Sequence, residues 1–313
     1  MRALVTGGNG FVGRHLCAEL RSRGWETFVA GRSSGDDDDV DFELDLGDAG
    51  NVRNAVVAAR PDVVFHLAAQ AFVPRSTEDP LGTFDTNVMG TARLVDAIRG
   101  LHPGAPMRLV FVSSGEVYGA HPASDLPLRE DATTSPSNPY AASKLAGETI
   151  VLAATRAKAI DALVTRAFNQ IGPGQSRPFV VPSFAARLAR IAAGGDPLLT
   201  VGNLEPQRDF LDVRDVVRAY ADLGERGVPG EIYNVCSGVP TAIVDILRKL
   251  VTIAHVGVEI REDPALVRAV DVPIVYGDNA KLRAATGWEP TFALARTLRD
   301  VYDEVSRAVG AGA

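Results

Sequence analysis

The sequence predicts an α/β protein with a doubly wound parallel sheet and a smaller C-terminal α/β lobe. From Arg2 to Arg166, short apolar runs alternate with longer helical patterns, which is typical of consecutive βαβ units. The first apolar run leads directly into a glycine-rich segment at residues 6–13. The length of 313 residues, with 46% hydrophobic and 23% charged residues, fits one large globular domain or a core domain with a lobe.

Six short apolar runs are predicted to be the strands of the sheet. They are Ala3–Val5, Thr27–Ala30, Val40–Leu44, Val63–Leu67, Leu109–Val112 and Ala162–Val164. The helical patterns between them are Phe11–Arg23, Asn51–Ala59, Leu81–Arg99 and Pro139–Lys158. Strands and helices in this alternation predict a Rossmann-type sheet formed by residues 1–168.

After Phe168 the alternation becomes irregular, and residues 169–313 are predicted to form the smaller lobe. Its predicted helices are Pro182–Ala193, Val213–Gly224, Thr241–Ile253 and Phe292–Val309. Its predicted strands are Leu199–Val201, Glu231–Val235 and Val258–Ile260. Residues 212–235 fit either the lobe or a return to the large domain, so their assignment stays open.

Composition and charge argue against several classes of protein. The net charge is −7, which disfavours nonspecific binding to nucleic acid or to an anionic membrane. No stretch approaches the roughly 18 apolar residues that a membrane-spanning helix needs. Cys17 and Cys236 are far apart and have neither a disulfide-framework nor a metal-ligand spacing. We therefore expect a cytoplasmic protein that binds no metal, no membrane and no nucleic acid.

Three glycines stand three residues apart where the first strand gives way to a helix. Gly7 permits a tight turn, Gly10 lets a pyrophosphate approach the backbone, and Gly13 allows the helix to pack closely on the sheet. The predicted helix begins at Phe11 and Val12, so its free N–H groups and the positive end of its dipole face the expected pyrophosphate. A glycine turn without a ligand is the alternative, but the strand–turn–helix context favours a dinucleotide.

The residue after the second strand bears on the choice of dinucleotide. An acidic residue there would bind the ribose 2′-hydroxyl and exclude a 2′-phosphate. Arg32 instead offers a bidentate guanidinium, which favours NADP(H) over NAD(H). A surface arginine beside the acidic run Asp36–Asp39 is the alternative, and in that case NAD(H) would serve as well.

Two segments carry groups suited to proton transfer. Tyr140 and Lys144 are four residues apart and share one face of the predicted helix. An ammonium close to a phenol favours the phenolate, so Lys144 is expected to lower the pKa of Tyr140. Ser114 follows the fifth strand and could hydrogen-bond the same substrate oxygen. A tyrosine and a lysine at this spacing also occur together by chance on surface helices.

The glycine loop, the segment Ser113–Gly119 and the segment Asn138–Lys144 together resemble the extended short-chain dehydrogenases/reductases, which modify nucleotide sugars. The resemblance extends over nearly the whole chain. It implies that Tyr140 is the general acid/base, that Lys144 is its electrostatic partner and anchors the nicotinamide ribose, and that Ser114 is a donor to the substrate oxygen.

The same resemblance implies further contacts with the cofactor and substrate. Asp45 and Leu46 match the element against the adenine. The segment that ends the fourth strand, Leu67, Ala68, Ala69 and Gln70, matches the strand end beside the cofactor, with Gln70 expected to reach the substrate. Asn87 matches a structural asparagine of the central helix.

The C-terminal half resembles the GDP-mannose branch of this family. The motifs that carry this resemblance are Arg166–Gln175, Val201–Glu205, Arg208–Asp215 and Tyr233–Gly238. They imply that the substrate-binding residues are Asn169, Val180, Asn203, Arg208 and Arg268. The two arginines would clamp a diphosphate, although Arg208 could instead pair with Asp212 or Asp215, and Arg268 could also be an ordinary ion-pair partner.

The implied reaction is NADPH-dependent reduction of the C4 keto group of GDP-4-keto-6-deoxy-D-mannose to GDP-D-rhamnose or its C4 epimer. Glu116 leaves an alternative open, because dehydratases of this family carry an acidic residue near this position. That alternative is a nucleotide-sugar dehydratase or 4-epimerase with tightly bound NAD(P); for Glu116 a substrate-contacting or structural role is favoured. The family also implies a homodimer formed through Leu81–Arg99 and Pro139–Lys158, although the apolar positions of these helices could equally be covered within one chain.

Overall fold

The computed structural model describes residues 1–32, 40–101, 107–266 and 272–310. Its strands are β1 (Arg2–Thr6), β2 (Glu26–Gly31), β3 (Phe42–Glu43), β4 (Val63–His66), β5 (Arg108–Ser114), β6 (Asp161–Ala167), β7 (Asn169–Ile171), β8 (Leu198–Val201), β9 (Gln207–Asp212), β10 (Ile232–Val235), β11 (Pro240–Ala242), β12 (Glu259–Glu262) and β13 (Ile274–Val275). Its helices are α1 (Phe11–Ser22), α2 (Ala49–Ala59), α3 (Val73–Glu78), α4 (Pro80–Phe84), α5 (Gly90–Arg99), α6 (Pro139–Arg156), α7 (Val180–Ala192), α8 (Val213–Arg226), α9 (Ile243–Ala254), α10 (Ala280–Thr286) and α11 (Leu294–Gly310).

Seven parallel strands form the main sheet in the order β10-β6-β5-β4-β1-β2-β3. The chain moves outward from β1 in one direction and then returns past it to build the other half, which is a doubly wound topology. The predicted fold class is therefore confirmed. All six predicted strands occur within a few residues of their expected bounds, and β10 pairs with β6 at the edge of the same sheet.

Helices cover both faces of the sheet and bury its apolar side chains. On one face α1 and α8 pack over Val5, Phe65 and Val110, which are all buried. On the other face α2, α5 and α6 pack over Leu4 and Leu109. Because both faces are covered, the central strands read as continuous apolar runs rather than as alternating patterns.

The predicted helix Leu81–Arg99 is not continuous. Asp79 caps α4 by accepting from the N–H of Gly82, a π-helical turn follows at Asp85–Met89, and α5 then begins at Gly90. Gly90 lies against Leu46, where a Cβ would stand 2.8 Å from the Leu46 Cβ. Apolar periodicity does not distinguish a π turn from an α turn, so the interruption depends on these tertiary contacts.

The C-terminal lobe packs α7, α9 and α11 around a separate apolar core with β8 and β9. Strands β7, β11 and β13 extend β9 into a four-stranded sheet, and β12 pairs with β8. These strands have two to six residues, and several were not predicted because such short runs carry little periodicity. Within the described ranges, no helix is both long and apolar enough to cross a membrane.

Candidate active site

The glycine loop forms a tight turn between β1 and α1. Gly7 has a φ of +71°, and its N–H donates to the carbonyl of Ala30 at 2.7 Å. A Cβ on Gly7 would lie 2.9 Å from the Ala68 nitrogen, and one on Gly13 would lie 2.2 Å from the Gly7 carbonyl oxygen. A Cβ on Gly10 would meet only the Gly7 carbonyl oxygen, at 3.1 Å. The backbone at the start of α1 is therefore open to a ligand, and this cradle fits a dinucleotide pyrophosphate.

Three other expected cofactor residues follow the strands β2 and β3. Arg32 is exposed directly after β2, and its carbonyl accepts from the Asn9 side chain of the glycine loop at 3.0 Å. Asp45 is exposed, and its carboxylate accepts from the N–H of Gly47 at 2.8 Å. Leu46 is only 7% exposed and packs in the core beneath α5. The acidic run Asp36–Asp39 lies outside the described residues.

The segment after β4 is held firmly between the glycine loop and α4. Leu67 and Ala68 are half-buried against Gly7, and Ala69 continues the segment toward Gln70. The Gln70 amide nitrogen donates to the carbonyl of Phe72 and to Thr83 Oγ1, both at 3.2 Å, and its oxygen accepts from the Phe72 N–H. The Gln70 side chain thus shapes its own loop, and a contact with substrate would have to replace these bonds.

The predicted catalytic side chains meet at the carboxyl edge of β5. Ser114 ends β5 and is 8% exposed, and its side chain is hydrogen-bonded to that of Tyr140. Asn138 caps α6 by accepting from the N–H of Ala141 at 2.8 Å, so the first turn of the helix presents Tyr140. Lys144 lies one turn further, is 5% exposed, and has its ammonium 4.9 Å from the centre of the Phe111 ring.

The prediction that Lys144 lowers the pKa of Tyr140 is wrong for this structure. Burial raises the pKa of Tyr140 to about 12; the hydrogen bond to Ser114 opposes that rise, and the Glu116 carboxylate adds to it. Burial also lowers the pKa of Lys144 to about 8, against an opposing effect of Glu148. At neutral pH the phenol is therefore protonated, and Lys144 is a buried cation.

Glu116 follows the catalytic candidate Ser114 by two residues. It is exposed in the 3-10 turn Gly115–Tyr118 that follows β5, and its carboxylate accepts from the Asn138 amide at 3.4 Å. Its negative charge contributes to the raised pKa of Tyr140, so the carboxylate is near enough to act on that phenol electrostatically. A substrate-contacting or structural role for Glu116 stays a prediction.

The remaining expected substrate residues come from residues 169–313. Asn169 begins β7, two residues after Ala167, which pairs with Ser114 across the sheet. Val180 begins α7. The Asn203 side-chain oxygen accepts from the N–H of Glu205 at 3.0 Å and shapes a turn. Arg268 lies outside the described residues.

Arg208 is half-buried in β9. One of its guanidinium nitrogens donates to the carbonyls of Gln207 and Val272, at 2.8 and 2.7 Å. The two acidic residues considered as its partners are engaged elsewhere, because Asp212 pairs with Arg214 and Asp215 pairs with Arg218. The carbonyl contacts hold the arginine stem beside the segment that leads to β13.

Sequence reasoning missed two buried polar networks behind these residues. In the first, the Thr6 hydroxyl and His66 Nδ1 are 2.7 Å apart, and His66 Nε2 is 3.2 Å from Thr91 Oγ1. Thr91 donates to the Asn87 carbonyl, and the Asn87 amide donates to Ser143 on α6. Burial, followed by the charge of Lys144, lowers the pKa of His66 to about 3, so the imidazole is neutral.

The second missed network contains Ser113, Glu148 and Arg166, with Glu148 paired to Arg166 at 2.8 Å in the interior. The sequence did hold a signal, since Glu148 lies four residues after Lys144 on the same helix face. Arg166 is a charged residue within an otherwise apolar strand, which indicates a buried partner.

Comparison with known proteins gives consistent matches along the whole chain. The model of the GDP-mannose 4,6 dehydratase family matches residues 4–301. GDP-6-deoxy-D-mannose reductase of Pseudomonas aeruginosa is 38% identical over 306 residues, covering 97% of this chain and 96% of that protein. GDP-6-deoxy-D-talose 4-dehydrogenase of Aggregatibacter actinomycetemcomitans is 31% identical, with 96% and 97% covered.

A solved structure agrees with these matches. RMD from Pseudomonas aeruginosa, complexed with NADPH, superposes with a TM-score of 0.88 at 36% sequence identity. The superposition covers 98% of this chain and 100% of that one, so both the sheet domain and the lobe are shared.

Proposed function

Because the chain belongs to the GDP-mannose 4,6-dehydratase family of extended short-chain dehydrogenases/reductases, we propose that it reduces GDP-4-keto-6-deoxy-D-mannose with NADPH. The reduction converts the C4 keto group to a hydroxyl, giving GDP-D-rhamnose or its C4 epimer. Membership of the family confirms the resemblance predicted from the sequence, and the chain is an NAD(P)-dependent oxidoreductase.

One observation carries the proposal: the 38% identity to a GDP-6-deoxy-D-mannose reductase extends over 97% of the chain. The hydrogen-bonded pair Ser114 and Tyr140, with Lys144 buried one turn further on the same helix, supports it independently. A binding protein that had abandoned catalysis would have no need to keep a lysine charge in the interior, where it is costly.

The glycine loop is the part of the chain that would hold the cofactor. Gly7, Gly10 and Gly13, followed by Phe11 and Val12, would receive the pyrophosphate at the start of α1. Arg32 would bind the 2′-phosphate, which is the reason for preferring NADP(H) over NAD(H). When bound, NADPH supplies the hydride.

Tyr140 supplies the proton. With its pKa raised to about 12, the phenol is protonated at neutral pH and can donate to the C4 oxygen as that oxygen gains negative charge. Ser114 donates a hydrogen bond to the same oxygen, and its placement beside Tyr140 aligns the two groups. Lys144, buried one turn further along the helix, would anchor the nicotinamide ribose of the bound cofactor with its ammonium, as the family resemblance implies.

The lobe is proposed to bind the GDP-sugar. Arg208 and Arg268 would neutralise the diphosphate of a substrate that the net charge of −7 otherwise repels. Asn169 would contact the sugar or the diphosphate, because β7 begins just beyond the end of β6, beside Ser114. Val180 and Asn203 would border the guanosine, and Asp45, Leu46 and the segment Leu67–Gln70 would complete the cofactor and substrate surfaces.

The experiment combines purified protein with NADPH and GDP-4-keto-6-deoxy-D-mannose. We expect substrate-dependent loss of the NADPH absorbance and formation of a GDP-6-deoxyhexose, whose configuration at C4 identifies the product. Tyr140→Phe, which removes only the phenol oxygen, is the matched control and should leave NADPH binding intact. Absence of oxidation with wild-type protein would contradict the proposal.

A dehydratase or 4-epimerase is the second candidate, and the exposed carboxylate of Glu116 beside Tyr140 is the observation that favours it. Such enzymes regenerate their cofactor in each cycle and keep it bound. Stoichiometric NAD(P) in freshly purified protein would support either enzyme. Water loss from GDP-mannose would then establish a dehydratase, whereas inversion at C4 of a nucleotide sugar would establish a 4-epimerase. We assign Glu116 a substrate contact instead.

The proposal includes a homodimer. Leu81 is 80% exposed at the start of α4 and Met89 is 49% exposed before α5, and α6 packs beside both helices. Burial of such side chains against a second copy would remove apolar surface from water. Sedimentation of wild-type protein and Leu81→Asp would test the interface.

A cytoplasmic location is part of the same proposal, because both cysteines are buried thiols.

A further inference from the structure

A buried ion pair stands directly behind the catalytic side chains. Glu148 on α6 is 2% exposed and Arg166 on β6 is 4% exposed. Arg166 donates to both carboxylate oxygens, from Nη2 to Oε2 at 2.8 Å and from Nε to Oε1 at 3.1 Å. Ser113 Oγ donates to the same Oε1 at 2.5 Å. Three elements, β5, β6 and α6, therefore meet at one carboxylate.

These bonds constrain the active site through the chain. Ser113 immediately precedes Ser114, so its bond to Glu148 fixes the end of β5 against α6. The same helix carries Tyr140 and Lys144, which lie two turns and one turn before Glu148. The distance between Ser114 and Tyr140 thus depends on the contact between Ser113 and Glu148.

In the described part of the chain, several charged groups act on Glu148 and Lys144 or on their partners. Glu148 faces Arg166 from β6 and Lys144 on its own helix. Arg166 also lies over the Tyr118 ring, with its guanidinium carbon 4.7 Å from the ring centre. It donates a hydrogen bond to the backbone carbonyl of Glu130. The side-chain carboxylate of Glu130 in turn acts electrostatically on Tyr118.

Lys144 additionally faces the Phe111 ring and the imidazole of His66, which burial and Lys144 itself keep neutral. Among these groups, Glu148 is the carboxylate that favours the charged form of Lys144. A buried ammonium needs such a counter-charge, because removal from water otherwise drives it to the neutral form.

We propose that Glu148 is a positioning residue for the reaction: its carboxylate fastens the end of β5 to α6 and is the counter-charge that Lys144 faces inside the protein. This inference rests on the roles proposed above for Ser114, Tyr140 and Lys144. It assigns to Glu148 no contact with substrate or cofactor.

The lysine content makes a direct test practicable. The chain has four lysines, Lys144, Lys158, Lys249 and Lys281, so protein labelled with ¹³C-lysine gives few side-chain signals to titrate. Lys144→Met assigns the signal of interest, and the exposed Lys158 and Lys249 are internal references. In Glu148→Gln we expect the pKa of Lys144 to fall by about one unit while both references stay unchanged. The titration needs no substrate, so it remains informative even if the proposed reduction is not observed.

Kinetics separate the two roles of the carboxylate. In Glu148→Gln, kcat should fall about tenfold and its alkaline limb should move to lower pH by the same amount as the Lys144 titration. Ser113→Ala removes the tether and keeps the charge, so kcat should fall without movement of the limb. Glu259→Gln, at an exposed position on β12, is the matched control and should change neither.

An unchanged Lys144 titration in folded Glu148→Gln would overturn the inference. If that variant fails to fold because Arg166 is left buried without a partner, Glu148→Gln combined with Arg166→Gln removes both charges. The Lys144 pKa should lie lower in the double variant than in Arg166→Gln alone, and equal values in these two variants would equally overturn the inference.

Discussion

The buried charge of Lys144 predicts a conflict between activity and stability. Burial lowers its pKa from 10.5 to about 8. Because one pKa unit corresponds to about 1.4 kcal/mol, the buried ammonium lowers the free energy of unfolding by about 3 kcal/mol at pH 7. Lys144→Met removes that penalty and keeps most of the apolar stem.

The gain in stability expected for Lys144→Met is reduced by one smaller effect. The variant loses the cation–π contact of the ammonium with Phe111, worth about 1 kcal/mol. Glu148 keeps its bond to Arg166, so no buried carboxylate is left without a partner. We therefore expect Lys144→Met to be more stable than wild type by about 2 kcal/mol, or roughly 4 °C in Tm, and to lose most of its activity.

The stability difference between Lys144→Met and wild type should depend on pH. In the folded protein Lys144 loses its proton near pH 8, whereas in the unfolded chain it does so near 10.5. The penalty is thus fully present below pH 8 and disappears as the pH rises to 10.5. The stability gap between variant and wild type should close over that interval.

Urea unfolding at pH 7 and at pH 10, without added nucleotide, measures both quantities. Lys249→Met, at an exposed position on α9, is the control and should change stability little at either pH. The reasoning would be refuted if Lys144→Met were less stable than wild type at pH 7, or if its advantage were the same at both pH values.

Three further predictions concern the site. Tyr140→Phe should lower kcat by about 10²–10⁴ with NADPH affinity within a few-fold of wild type, measured by fluorescence titration; a small kcat effect would remove Tyr140 as the acid. Gly13→Ala places a Cβ 2.2 Å from the Gly7 carbonyl oxygen, so the stabilisation that NADPH gives in thermal unfolding should be lost, and a normal shift would contradict this packing. Arg32→Ala should weaken NADPH binding about tenfold relative to NADH in a salt-dependent way, and an unchanged ratio would show that Arg32 does not read the 2′-phosphate.

Local signals in the sequence were sufficient to place the main sheet. The runs that became β1, β2, β4, β5 and β6 are apolar and bounded by helical patterns, so each could be recognised without its neighbours. The π-helical turn at Asp85–Met89 could not be recognised from the sequence, because its side-chain pattern continues that of an α-helix. The sequence does not predict strand β9, because its pairing partners β7, β11 and β13 are separate segments of the chain that only the folded lobe brings beside it.

The features of the candidate site likewise fall into those set by local sequence and those set by tertiary packing. The sequence by itself determined the turn at Gly7, the capped start of α6 and the one-turn separation of Tyr140 from Lys144, because each depends on backbone geometry within a few residues. Only the tertiary structure decided the protonation of these groups and the tethering of Ser113 to Glu148. Burial and electrostatic energies depend on distances between atoms, and the residues that set them, Glu116, Glu148 and Arg166, come together only when the sheet and its helices have packed.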